Sequence, residues 1–163
     1  MSINIGDHTP SFSLPCDTVN QTGKSSLSLN DFDGHWIVLY FYPKDNTSGC
    51  TKQAENFKAH YQQFKQLGCE IIGVSKDSVK SHDKFKVKFD LPFPLLSDED
   101  GSVCNQFNVW VQKSMYGRQY YGIERSTFLI NPAGKIEFIW RKVKVPQHIE
   151  TVLEKLKSLH QST

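Results

Sequence analysis

Residues 36–51 read Trp36-Ile37-Val38-Leu39-Tyr40-Phe41-Tyr42-Pro43-Lys44-Asp45-Asn46-Thr47-Ser48-Gly49-Cys50-Thr51. From Trp36 to Phe41 no polar residue alternates with the apolar ones, which is the pattern of a central strand covered on both faces. Pro43 to Gly49 breaks that pattern with turn-forming residues. Beyond the break, Ala54, Phe57, Tyr61, Phe64 and Leu67 recur at helical spacing, and Gly68 is placed to end the helix. A buried strand, a loop and a regular helix therefore follow one another here.

Working outward, Glu70 to Ser75 predicts a second buried strand, Ser81 to Phe89 a weaker helix and Gly101 to Phe107 a short one. Ser126 to Ile130 and Ile136 to Trp140 flank the turn Asn131-Pro132-Ala133-Gly134, a strand–turn–strand unit. Ile149, Val152, Leu153, Leu156 and Leu159 define a closing amphipathic helix. On the other side, Phe12 and Leu14, then Leu27 and Leu29, bracket a turn-rich stretch and predict a strand or hairpin region. No repeat, linker or low-complexity tract divides residues 1–163, so one domain is expected. The fold class is α/β, three layers about a mixed β-sheet flanked by helices.

The chain has 163 residues, enough to bury roughly 70% of its unfolded surface in one core. Nineteen Lys and Arg against seventeen Asp and Glu leave +2, which argues against a broad nucleic-acid face. The longest apolar run, Trp36 to Tyr42, is too short to cross a bilayer, and no basic segment followed by an apolar one marks a signal peptide. A cytoplasmic protein is the expectation, with neither nucleic acid nor membrane as partner. Its four cysteines, Cys16, Cys50, Cys69 and Cys104, are too widely spaced for a secreted disulfide framework and form no CxxC. They are then either buried hydrophobes or reactive thiols.

Cys50 stands out by position. It falls in the first turn of the predicted helix, beyond the carboxyl end of the predicted central strand, where α/β proteins bind ligands. The N–H groups there lack intrahelical partners and favour an anion, which would stabilise a thiolate. Cysteines so placed fall from about 8.5 into the range ~3.5–7.5. Thr47 has capping spacing, with a hydroxyl within reach of the backbone or the sulfur. Gly49 permits close approach of a ligand, and Pro43 fixes the exit from the strand. Spacing alone leaves both a reactive and an inert first-turn cysteine open.

Pro43, Thr47 and Cys50 match the Pro-x-x-x-Thr-x-x-Cys motif of the peroxiredoxins. The string FYPKDNTSGCT closely resembles the branch named for the bacterioferritin-comigratory protein (Bcp, or PrxQ). The likeness runs from GDHTPSFSLP through PFPLLSDEDGSVCNQFNVW and SMYGRQYYGIERSTFLINPAGKI to the final helix. It implies a thioredoxin-like fold and thiol-dependent reduction of hydrogen peroxide and organic hydroperoxides. By carry-over, Cys50 is the peroxidatic cysteine, Thr47 and Pro43 shape its pocket, and Arg125 is the accompanying arginine. The family usually reads Thr-Pro-Gly-Cys, whereas Ser48 stands here for that proline, which bears on loop stiffness. An arginine suits this chemistry, since its permanent charge favours a thiolate and its donors can meet the departing oxygen. Phe41 and Trp110 are candidate walls of the peroxide pocket. Glu124 is expected to face away from the site, and Glu55 to pair with a nearby cation.

In this branch the resolving cysteine stands at the place of Glu55 or, in other members, of Lys86. Neither is cysteine here, so an internal two-cysteine cycle does not carry over. The leading expectation is a one-cysteine mechanism with thioredoxin, glutaredoxin or glutathione as external reductant. The alternatives are Cys104 as resolving thiol, which would need the helix at Cys50 to open, and a non-turnover redox sensor or holdase. Cys69, at the start of a buried strand, is expected in the core, and Cys16 in a loop, where it could react although nothing places it near Cys50. A thiol–disulfide oxidoreductase would show a second cysteine beside Cys50, where Thr51, Lys52 and Gln53 supply none.

No cofactor or metal is expected. The sequence has no phosphate loop or dinucleotide glycine pattern, and the six histidines show no ligand spacing and are expected at the surface. Arg141-Lys142-Val143-Lys144 reads as an exposed strand end. The branch resemblance implies a monomer or dimer.

Overall fold

The computed structural model describes residues 3–20 and 22–161. Two short strands, β1 (Ser13–Pro15) and β2 (Ser26–Ser28), pair antiparallel, and a 3-10 turn follows at Leu29–Phe32. The chain then forms β3 (Trp36–Phe41), α1 (Ser48–Ala59), α2 (Tyr61–Gln66), β4 (Cys69–Ser75), α3 (Val79–Phe89), β5 (Leu95–Ser97) and α4 (Ser102–Gln106). The remainder is a hairpin of β6 (Trp110–Met115) and β7 (Arg118–Ile123), a second of β8 (Ser126–Ile130) and β9 (Ile136–Trp140), and α5 (His148–Gln161).

Strand β3 lies at the centre of a sheet ordered β5-β4-β3-β8-β9, and all its side chains are buried. It runs parallel to β4, which runs parallel to β5, and antiparallel to β8. The mixed sheet expected from sequence is thus present. Side chains alternate between its faces, as the pleat dictates. Trp36, Val38 and Tyr40 join a cluster with Phe57 of α1, Phe64 of α2 and Ile149, Val152 and Leu156 of α5. Ile37, Leu39 and Phe41 point the other way, into a cluster with Leu27, Val103, Cys104 and Phe107. Truncating a side chain such as Phe57, which has no exposed surface, to alanine costs about 3–5 kcal/mol.

Several local expectations are corrected. The helix after Cys50 breaks at His60, whose N–H bonds the carbonyls of Asn56 and Phe57 and whose ring Nδ1 lies 2.9 Å from Asn56 O. Gly68, at φ +70°, follows α2 as predicted for a helix-ending residue. The hairpin of β6 and β7 was not anticipated; it turns at Tyr116 and Gly117, both left-handed (φ 53° and 79°). Arg141 to Lys144 is irregular backbone rather than a strand end, with Lys142 at φ 50°.

Candidate active site

The loop leaving β3 delivers Thr47 as the N-cap of α1, with extended backbone (φ −97°, ψ 158°). Thr51 N–H donates to Thr47 O over 2.8 Å, so the helix starts there and Cys50 occupies its third position, N3. The Thr47 hydroxyl, expected on the helix N–H groups or the sulfur, instead donates to Lys44 O at 2.9 Å. It closes the loop on itself and leaves the helix N–H groups free of a side-chain cap. Pro43 and Thr47 are exposed, and Cys50 is 2% exposed, packed in the cluster that holds Tyr40, Tyr42, Ala54 and Phe57.

Arg125, between β7 and β8, is brought to this helix end. Its Nη2 donates to Cys50 Sγ at 3.4 Å and its Nη1 to Gln53 Oε1 at 2.6 Å. Its carbonyl accepts Val143 N–H at 3.0 Å, which ties the irregular 141–144 segment to the site. A Cβ on Gly49 would stand 3.3 Å from Nη2. That glycine therefore gives room to the guanidinium, a nearer neighbour than the ligand anticipated from sequence.

Gln53 was missed by the sequence reading. It is fully buried, its carbonyl oxygen orients Arg125, and its Nε2 has no partner. The signal was its spacing, since residues i and i+3 of a helix share a face. Lys113 on β6 is also close: burial first, then the like charge of Arg125, push its pKa down, against the charges of Glu124 and Cys50. Glu124 contributes its backbone, donating to Val109 O at 2.7 Å.

Other candidates lie elsewhere. Phe41 is wholly buried on the opposite face, against Phe107 and Phe128 with ring centroids at 5.2 and 5.8 Å, so it walls no pocket over Cys50. The alternation of β3 dictates this, because Tyr40 already points toward Cys50's cluster. Trp110 packs against that second cluster too, stacked on Tyr121 and covered by Lys76 Nζ at 4.2 Å. Cys104 is likewise across the sheet from Cys50, fully buried, so the structure does not bring the two thiols together. Burial, then its bond to Asp98 and that carboxylate's charge, push the Cys104 thiol well up. Burial does the same to Cys69 in β4. Cys16 is raised by burial and then by Asp17, and its Sγ donates to Lys24 O at 3.1 Å. All four thiols are free.

Lys86 on α3, at the place of one expected resolving cysteine, is buried and its Nζ meets Asp17 Oδ2 at 2.9 Å. Asp17 also accepts Leu95 N–H at 2.9 Å. Glu55 is exposed. Two histidines expected at the surface are buried, His82 on α3 and His148 at the start of α5. His148 Nε2 lies 2.8 Å from Thr127 Oγ1. Among the described residues, no group of His, Cys, Asp and Glu is placed to hold a metal ion, and no helix is long and apolar enough to cross a membrane.

A buried first-turn cysteine met by a guanidinium, on a five-stranded mixed sheet flanked by helices, defines a thiol enzyme of the thioredoxin-like peroxiredoxin fold. Residues 5–139 match the AhpC/TSA family. The chain is 48% identical to a putative peroxiredoxin Bcp of Coxiella burnetii, over 96% of this chain and all of that one. It is 45% identical to peroxiredoxin Bcp of Bacillus subtilis, over 98% of both. A cysteine-to-serine mutant of Xylella fastidiosa PrxQ superposes with a TM-score of 0.88 at 44% identity, over 97% of this chain and 98% of that one. Bacterioferritin comigratory protein of Xanthomonas campestris, in a structure concerned with its alkyl peroxide reduction, gives 0.84 at 46% identity, over 91% and 92%. The chain belongs to the AhpC/TSA family and is a peroxiredoxin of the Bcp/PrxQ branch.

Proposed function

We propose that this peroxiredoxin reduces hydrogen peroxide and organic hydroperoxides through Cys50 by a one-cysteine cycle, with an external thiol as reductant. The observation that carries the reading is the 3.4 Å contact of Arg125 Nη2 with Cys50 Sγ at the N-terminus of α1. The thiolate is the nucleophile in such chemistry. Its sulfur attacks the terminal oxygen of the hydroperoxide; an S–O bond forms, the O–O bond breaks, and Cys50 becomes a sulfenic acid. The departing alkoxide, or hydroxide from hydrogen peroxide, takes a proton and leaves as alcohol or water. Arg125, oriented by Gln53, supplies fixed positive charge where that oxygen develops negative charge. A first external thiol then forms a mixed disulfide with loss of water. A second thiol releases Cys50.

The one-cysteine assignment is supported by what surrounds the other thiols. Cys104 is across the sheet, and the place of a resolving cysteine on α3 is taken by the buried Lys86–Asp17 ion pair. Helix α3 is further fastened by Asp83, which accepts Thr18 N–H at 2.7 Å and the Thr18 hydroxyl at 2.8 Å. Helix α3 itself carries no cysteine that could resolve Cys50.

The test is oxidation with one equivalent of peroxide followed by mass-spectrometric mapping. The expected product carries a sulfenic acid on Cys50, trapped by a diketone reagent, with no intrachain disulfide. A Cys50 link to Cys104 or Cys16 would overturn the one-cysteine cycle. Steady-state peroxide consumption with thioredoxin, glutaredoxin or glutathione in turn identifies the reductant; a single stoichiometric reaction with every one of them would make the protein a sensor.

A further inference from the structure

The loop that presents Cys50 is held from behind by a buried polar network. Asp45, midway between Pro43 and Thr47, is 6% exposed. Its Oδ1 accepts the Tyr42 hydroxyl at 2.6 Å, and its Oδ2 accepts the Ser81 hydroxyl at 2.8 Å. His82 Nδ1 lies 2.7 Å from the same Oδ2, while its Nε2 lies 2.8 Å from Leu96 O on β5. His82 has no exposed surface. The Leu96 carbonyl has no proton to give, and an ionised Asp45 carboxylate has none either.

A neutral imidazole has one N–H and one lone pair. In either tautomer, one of these two contacts would set lone pair against lone pair at under 3 Å. With Asp45 ionised, the imidazolium, a donor at both nitrogens, is the form that satisfies both contacts. We propose that His82, as a doubly protonated imidazolium, is a positioning residue for the peroxidatic reaction, fixing Asp45 and through it the loop that presents Cys50. The proposal rests on Cys50 being the reacting thiol.

The linkage runs through the backbone. Asp45 N–H donates to Asp77 Oδ2 at 2.8 Å, so both the side chain and the main chain of Asp45 are fixed. The next residue, Asn46, is left-handed at φ 59°, a conformation that Asn adopts more readily than most residues with a side chain. Thr47 follows as the N-cap, and Cys50 sits three residues beyond. The groups facing His82 are Asp45 from this loop, Asp77 before α3, Tyr42 at the end of β3 and the Leu96 carbonyl of β5. One turn along its own helix is Lys86, paired with Asp17. Burial opposes the charged ring, but the Asp45 bond and charge, the Leu96 carbonyl and Asp77 outweigh it, so its pKa stands above 6.5. A raised histidine pKa stabilises the fold below 6.5, and that contribution is lost as pH rises through the folded value.

Nitrogen-15 histidine spectra of the reduced wild-type protein should show both His82 nitrogens protonated at neutral pH, losing one proton on the alkaline side. The rate of Cys50 oxidation by peroxide, followed by stopped flow, should fall roughly 10- to 100-fold across that same titration as the loop loses its register. His82→Gln should lower the neutral-pH rate and abolish this alkaline limb, whereas Lys113→Gln should leave the limb in place. A neutral His82 at pH 7, or an alkaline limb unchanged in His82→Gln, overturns the proposal. Should His82→Gln fail to fold, the wild-type spectra and rates decide: midpoints that do not coincide also overturn it. Peroxidase activity retained by Cys50→Ser would overturn the assignment of Cys50 and this proposal with it, an outcome distinguished by that variant alone.

Discussion

Cys50 and Cys104 occupy the same place in two helices, the third residue of α1 and the third of α4, and both are hidden from solvent. Their surroundings differ in one respect. At α4 the Asp98 carboxylate accepts the N–H groups of Val103 and Cys104, at 3.2 and 2.8 Å, so the place a helix N-terminus offers an anion is filled. At α1 no acidic residue stands in the first turn, and a guanidinium contacts the sulfur instead. A buried first-turn cysteine is thus not reactive by address. We propose that the charge beside it sets the two cysteines apart.

The largest test of that contrast is to remove the cation. Arg125→Met should slow Cys50 oxidation by roughly 10²–10³-fold, with thermal stability little changed; a rate within a few-fold of wild type would break the comparison. Next is an acid limb in stability from this face of the sheet. Burial, then the charge of Arg125, depress the His148 pKa to about 4. The unfolded chain takes up that proton near 6.5, and the native protein only near 4. Stability should therefore fall as pH drops through this window, by up to about 3 kcal/mol. His148→Gln should flatten the decline measured by denaturant titration. Smaller is Asp98→Asn on the other face, which keeps an acceptor but loses the charge. It should cost about 1–2 kcal/mol in stability and leave peroxide reduction intact. Smallest is Cys104→Ser, expected to turn over with external thiol like the wild type; loss of turnover would return Cys104 to the cycle.

Much of the frame was legible because it rests on short-range pattern. The unbroken apolar run of β3, the Asn131–Gly134 turn and the heptad-like stripe of α5 each announce themselves locally, and so does Cys50 in a first turn. What escaped depended on distant partners. The β6–β7 hairpin is largely exposed and shows no clean alternation, so only Tyr116-Gly117 could have marked it. His82 reads as an ordinary surface residue until Asp45, 37 residues away, and Leu96 arrive at its two nitrogens. Gln53 needed Arg125 to give it a role. Phe41 was misplaced because a run apolar on both faces hides which face each residue takes, and Cys50 packs on the other one.

The Lys86–Asp17 pair has a consequence for descent. Removing one partner of a buried ion pair strands the other and costs about 3–5 kcal/mol, while replacing both together can be nearly neutral. A lineage moving between an ion pair and a thiol at position 86 therefore meets a valley unless position 17 moves too. The two sites should be inherited as a unit, so that a residue remote from the peroxide helps govern which resolving strategy its descendants can reach.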